Sequence, residues 1–144
     1  MTNQLMLSIA TASVMAHEGL RLKPYVCTAG KVTIGYGRNI EDNGITNEEA
    51  EHLLETDLAR SIEELSAYDW FLAQTEERQA VLVDMVFNMG LPTLLKFKMM
   101  IAALEVQDHE EAAVQMLDSN WARQVGKRSQ TLAETMRTGV QNYV

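Results

Sequence analysis

The spacing of apolar residues changes once along this chain, and the change limits what it can fold into. Val32, Ile34 and Tyr36 alternate with Thr33 and Gly35, which is the period of a half-buried strand. Gly30 before them and Gly37 after them read as turn residues, and Thr28-Ala29-Gly30-Lys31 as a hairpin turn. After Thr46 the spacing becomes helical. Two or three short strands are not stable alone, so a small antiparallel sheet from about Arg21 to Ile45 must pack on helices. The expected class is α+β: mostly α-helical, with a small N-terminal antiparallel sheet and two lobes around a cleft.

Thr46-Asn47-Glu48-Glu49 fits a capping box and opens a helix from Asn47 to about Leu65. Its stripe is Leu53, Leu54, Leu58, Ile62 and Leu65; its other faces are acidic, as in a helix that bridges two parts of a domain. Glu76 to Met89 has almost no polar face and reads as a central buried helix, ended by Gly90 and Pro92. Asp84 interrupts it and needs a partner if buried. Further helices are expected over Lys96–Leu104, from Asp108 to about Leu117 (buried through Ala112, Ala113, Met116 and Leu117), and over Asn120–Val125. Ser129 is read as the cap of the last helix and Gly139 as its end. A first helix, Gln4–Ala16, should pack through Met6, Ile9 and Leu5. The total is seven or eight helices. The organisation expected is one domain: a sheet lobe at about 19–46, a connecting helix at about 47–65, and a helical lobe at about 66–144 with the first helix packed on it.

The chain has 144 residues, enough for one ordinary domain, and no apolar run of 18 residues that would suggest a membrane span. None of the first sixteen residues is Lys or Arg, so the run Leu5–Ala16 lacks the positive start of a secretory signal. The formal charge of −8 weighs against general nucleic-acid binding. The charge is uneven. Arg21, Lys23, Lys31 and Arg38 form a basic strip without acids, and Arg123, Lys127, Arg128 and Arg137 form a second one, on either side of an acidic middle. Such strips fit either uneven solvation or attraction of an anionic polymer. Cys27 is the only cysteine, so no internal disulfide is possible. The histidines at 17, 52 and 109 show no metal-ligand spacing.

Three polar residues could meet around one point: Glu18 at a helix end, Cys27 at the start of the hairpin, and Thr33 inside the strand. From the residues alone this is a weak signal. A helix-end glutamate is usually solvated, a lone thiol is most often a small hydrophobe, and threonine fits any strand.

The spacing Glu18, eight residues, Cys27, five residues, Thr33 resembles the phage-type lysozymes of glycoside hydrolase family 24, which carry Glu, Asp or Cys, and Thr at those intervals. Glu18-Gly19-Leu20-Arg21-Leu22, Thr33-Ile34-Gly35-Tyr36-Gly37, Phe87-Asn88-Met89-Gly90, Glu111-Ala112-Ala113-Val114, Ser119-Asn120-Trp121 and Arg137-Thr138-Gly139 match in order, over roughly residues 6 to 143. The resemblance implies a lysozyme-like fold. It also implies hydrolysis of the β-1,4 bond between N-acetylmuramic acid and N-acetylglucosamine in bacterial peptidoglycan, by inversion and without a cofactor or metal. Glu18 would protonate the leaving oxygen, its pKa raised by partial burial. Cys27 and Thr33 would serve the water and the developing sugar cation.

Cys27 stands where many relatives carry Asp, and a neutral thiol offers no negative charge. Arg38 replaces a histidine and is expected to pair with an acid. Asn88, Gln115 and Arg128 match positions near the sugar chain, with Arg128 meeting lactyl or peptide carboxylates. Trp70 and Trp121 read either as sugar platforms or as core. The implied partners are peptidoglycan glycan strands and, for an enzyme gathering in the host cytoplasm, a holin; a particle-borne form acting from outside is the other route. A monomer is expected, with no nucleic acid bound. The rival readings are an inactive peptidoglycan-binding relative and a lytic transglycosylase.

Overall fold

In the computed structural model, residues 3–141 are described, so the last three residues of the expected helical lobe lie outside them. The elements are α1 (Gln4–His17), β1 (Arg21–Val26), β2 (Val32–Gly35), β3 (Arg38–Asn39), α2 (Ile40–Asn43), α3 (Asn47–Leu65), α4 (Asp69–Leu72), α5 (Glu76–Met89), α6 (Leu91–Leu94), α7 (Lys98–Glu105), α8 (His109–Leu117), α9 (Asn120–Val125) and α10 (Lys127–Thr138). The class is α+β, mostly helical with one small N-terminal antiparallel sheet, as in lysozyme-like architecture. The chain forms two compact units, Met1–Glu51 and His52–Val144, and the division falls inside α3.

In the first unit the three strands run antiparallel in the order β1-β2-β3. Tyr25 faces Thr33 and Val26 faces Val32, but the register shifts between Arg21 and Tyr25. Pro24 lies in that interval. It has no N–H to give to a ladder, and strands accommodate proline at such irregularities. The sheet stops at Asn39, short of the expected Ile45, because Asn39 caps a helical turn by accepting from the Asp42 N–H at 3.1 Å. The box at Thr46 forms in full: Glu49 N–H donates to Thr46 Oγ1 at 3.1 Å, and Thr46 N–H donates to Glu49 Oε1 at 2.8 Å. Within this unit α1 has no buried residue, and Leu5, Met6 and Ile9 are exposed.

The second unit is built around α8 and α10, with α7 against α8 and α5 against α10. Leu82, Met85, Met100, Leu104, Met116 and Met136 are fully buried between them. Methionine fills irregular gaps between helices of differing direction. α5 buries one face only, through Val81, Leu82, Met85 and Val86, while Phe87 is exposed. Leu117, expected in the core, is also exposed. Two single-turn helices, α4 and α6, are too short to leave a periodic signal. Gly126, not Ser129, precedes α10; Ser129 is buried inside its first turn and donates to the Gly126 carbonyl at 2.6 Å. Gly139 ends α10 at φ 77°. Arg78 closes that end from α5, donating through Nε to the Met136 carbonyl at 2.8 Å.

Leu82 is sealed on all sides while Leu22 is exposed. Leu82→Ala should therefore lower stability by about 2–5 kcal/mol in denaturant unfolding, whereas Leu22→Ala should stay within about 0.5 kcal/mol of the parent. Equal losses would contradict this assignment of the core.

Candidate active site

The β1–β2 hairpin closes on two backbone bonds. Cys27 N–H donates to the Lys31 carbonyl at 2.9 Å, and Gly30 N–H to the Cys27 carbonyl at 2.9 Å. Gly30 sits at φ 80°, a conformation that costs glycine little. Thr33, three residues after the Gly30 turn, is 2 % exposed, so its hydroxyl needs a partner. It donates to the same Lys31 carbonyl at 2.9 Å.

Cys27 is half-buried, and its thiol is held below its usual pKa, first by hydrogen bonding from the Lys31 backbone, then by the Thr33 hydroxyl and the Ala29 backbone. Cys27 and Thr33 are therefore brought together. The hydroxyl has one proton. While it donates to Lys31, it can only accept from a neutral thiol. Turned toward a thiolate, it can donate to sulfur, and the Lys31 carbonyl still keeps the Cys27 N–H. The pair can thus serve either charge state of sulfur without leaving a buried group unpaired.

Glu18 is the C-terminal cap of α1, its N–H bonded to the Val14 carbonyl at 2.8 Å. Its carboxylate lies over the β2–β3 turn. A Cβ on Gly37 would stand 3.0 Å from Glu18 Oε2, and Gly37 has φ 84°, so glycine is required there on both counts. Glu18 is exposed, and the partial burial expected of it is absent: a helix-cap side chain resting on a side-chain-free turn has little to cover it.

The partner of Arg38 is Glu49. Arg38 donates through Nη1 to Oε1 at 2.8 Å and through Nη2 to Oε2 at 2.5 Å, and also through Nη1 to the Gly44 carbonyl at 3.2 Å. This bidentate bond, then the Thr46 N–H, pull the Glu49 carboxyl from 4.5 down to about 2. One carboxylate thus caps α3 and grips the strand that follows the Gly37 turn.

In the second unit, Asn88 and Gln115 line one cavity of about 670 Å³ together with Phe97, Asn120, Trp121 and Gln124. Trp121 Nε1 donates to Asn88 Oδ1 at 2.8 Å, and Gln115 Nε2 donates to Glu111 Oε1 at 2.7 Å. These bonds leave the Asn88 amide nitrogen as a donor and the Gln115 amide oxygen as an acceptor. Arg128 is not with them. It lines a different cavity and grips Asp84 Oδ1 through Nε at 2.9 Å and Nη2 at 2.6 Å, which supplies the partner that Asp84 required. Trp70 packs against the core and Tyr68.

The basic strips are largely engaged internally. Lys31 pairs with Asp42 at 3.2 Å and Glu41 at 3.6 Å, Arg137 pairs with Glu134 and Glu110, and Arg21 lies 4.5 Å from the centre of the Tyr25 ring. Sequence inspection missed Glu49 as a site-shaping residue, although its capping-box position and the unpaired Arg38 were the available signal. Among the described residues, no three His, Cys, Asp or Glu side chains are grouped to hold a metal ion.

The sequence pattern of the phage lysozyme family matches residues 15–137, and this chain belongs to that family. It is 33% identical over 120 residues to an endolysin of Acyrthosiphon pisum secondary endosymbiont phage 1, covering 81% of this chain and 80% of that protein. It is 30% identical over 155 residues to probable T4-type lysozyme 1 of Dictyostelium discoideum, covering 87% and 91%. It is 32% identical over 152 residues to the pre-baseplate central spike protein of Enterobacteria phage T4, covering 85% of this chain and 26% of that one.

Glu49→Gln keeps the capping amide geometry and removes the charge. A carboxyl whose folded pKa is depressed stabilises above its ordinary value, and that contribution is lost as pH falls through the folded value. The stability deficit of Glu49→Gln should therefore be full above about pH 4.5, shrink as pH falls below it, and vanish only below about pH 2. Denaturant midpoints across that range check this; a deficit independent of pH would contradict it.

Proposed function

We propose that this chain is a muramidase of glycoside hydrolase family 24, hydrolysing the β-1,4 bond between N-acetylmuramic acid and N-acetylglucosamine in peptidoglycan. The observation that carries the reading is the pairing of Cys27 with Thr33 in a phage lysozyme family member that also holds Glu18 against the Gly37 turn. Glu18 is the proton donor to the leaving sugar oxygen. Thr33 and Cys27 orient a water on the other face of the sugar, which inverts the anomeric centre. Asn88 and Gln115 support the choice of sugar: an N-acetyl group carries one carbonyl and one N–H, matching the donor and acceptor these amides present. The biological role that fits is lysis of a bacterial host from within, with a holin giving access to the wall.

A second reading, a binder that does not cut, is favoured by the thiol at position 27, since a neutral thiol lends no charge to the sugar cation. Release of reducing ends from purified cell walls separates the two.

Glu18→Gln should lower the rate of that release by at least about 100-fold, the scale of general-acid catalysis, with glycan binding retained. Near-normal cleavage would remove Glu18 from the role. Cys27→Asp should keep or raise activity at neutral pH, and Cys27→Ala should lower it while leaving cleavage dependent on Glu18. If Cys27→Asp were as inactive as Glu18→Gln, position 27 would not serve the water.

A further inference from the structure

The β2–β3 ladder stops one rung early. It pairs Thr33 with Asn39 and Ile34 with Arg38, so the next rung would set Val32 against Ile40. At Ile40 the chain turns into α2 instead. A side chain takes the place of the missing rung: Val32 N–H donates to Glu41 Oε1 at 3.1 Å. The second oxygen of the same carboxylate, Oε2, lies 3.6 Å from Lys31 Nζ, which also stands 3.2 Å from Asp42 Oδ1.

The Val32 N–H and the Lys31 carbonyl are two ends of one peptide group, and that group is planar. Holding the N–H therefore sets the direction of the carbonyl. This is the carbonyl that accepts both the Cys27 N–H and the Thr33 hydroxyl. The turn brings the thiol and the hydroxyl side by side, and the tilt of the peptide they share sets where the hydroxyl proton points. Both partners of the carbonyl belong to the β1–β2 hairpin, whereas the partner of the N–H comes from α2. A carboxylate on the N–H also polarises the peptide and strengthens its carbonyl as an acceptor. The ion pair with Lys31 is a separate matter: its side chains are 40% and 44% exposed, and such pairs contribute little.

We propose that Glu41 is a positioning residue, gripping the Val32 N–H from α2 and so orienting the Lys31–Val32 peptide and, through it, Cys27 and Thr33. Its effect on turnover rests on the muramidase reading above; its effect on Cys27 is measurable without any substrate. The charged and titratable groups on the elements packed around this corner are Lys31 itself, Glu41 and Asp42 on α2, Lys23 and the stacked Arg21–Tyr25 pair on β1, and Arg38 on β3, which is bound to Glu49.

Cys27 is the only cysteine, so the pH dependence of alkylation by iodoacetamide reads a single thiol in the full chain. Glu41→Ala removes the acceptor. It should move the alkylation midpoint up toward that of a free thiol, about 8.5, as the donors around the sulfur lose alignment. It should also lower kcat on purified cell walls by about 10-fold, the scale of one charge-assisted hydrogen bond, with KM little changed. Glu41→Asp keeps the charge but shortens the reach; it should shift the midpoint in the same direction, and it carries the test if Glu41→Ala does not fold by circular dichroism. Glu41→Gln still offers an oxygen to the Val32 N–H and should keep midpoint and kcat near wild type. So should Asp42→Asn, which removes the acid nearer to Lys31. A wild-type midpoint in folded Glu41→Ala or Glu41→Asp overturns the inference. Equal downward shifts in Glu41→Ala and Glu41→Gln, the sign of bare charge removal, overturn it too, as does a loss in Asp42→Asn matching that of Glu41→Ala. If wild-type protein cuts no wall, the muramidase reading fails by itself and the alkylation midpoint still decides this inference.

Discussion

The Lys31 carbonyl holds the candidate site together. It accepts the Cys27 N–H that closes the hairpin and the hydroxyl of Thr33, whose side chain is otherwise shut away from water. Because one acceptor serves both, the thiol and the hydroxyl are fixed beside each other by the turn itself. No further element is needed to bring them together. The next strand depends on a second shared acceptor. Glu49 caps α3 through the Thr46 N–H and binds both terminal nitrogens of Arg38, so the segment after the Gly37 turn is tied to the start of a helix. Glu18 rests on that turn.

The parts of the fold legible in the sequence were those set by local chemistry. α3 and α5 have the bounds that their caps and apolar spacing implied, and α9 spans the expected Asn120–Val125. Gly139 ends α10 through a conformation that glycine adopts without penalty. What was not legible depended on tertiary context. The α2 turn replaces the end of the expected sheet because Asn39 can cap it. Ser129 reads as a cap in sequence, yet the chain buries it inside the first turn of α10, after Gly126. Met6, Ile9 and Leu117 are apolar and still exposed, since periodicity gives the face of a helix but not whether anything covers it.

At the site, the turn signal at Gly30 put Cys27 and Thr33 on one hairpin, while grouping them with Glu18 rested on the family resemblance. Spacing was not enough to assign the cations. Arg128 and Arg38 look alike in sequence to any basic residue awaiting an anion, but each is already satisfied bidentately or nearly so by an internal carboxylate.

The account turns on a proton from Glu18 and a water served by Cys27 and Thr33, with no bond between sugar and sulfur. The most direct measurement is digestion of purified peptidoglycan in ¹⁸O-water. The anomer of the first product is read by NMR, and the fragments and the enzyme quenched in turnover are weighed by mass spectrometry. The account predicts an inverted α-anomer carrying ¹⁸O at the new reducing end, and an enzyme of unchanged mass. A retained β-anomer, an anhydro product one water lighter, or a sugar attached to Cys27 would contradict it.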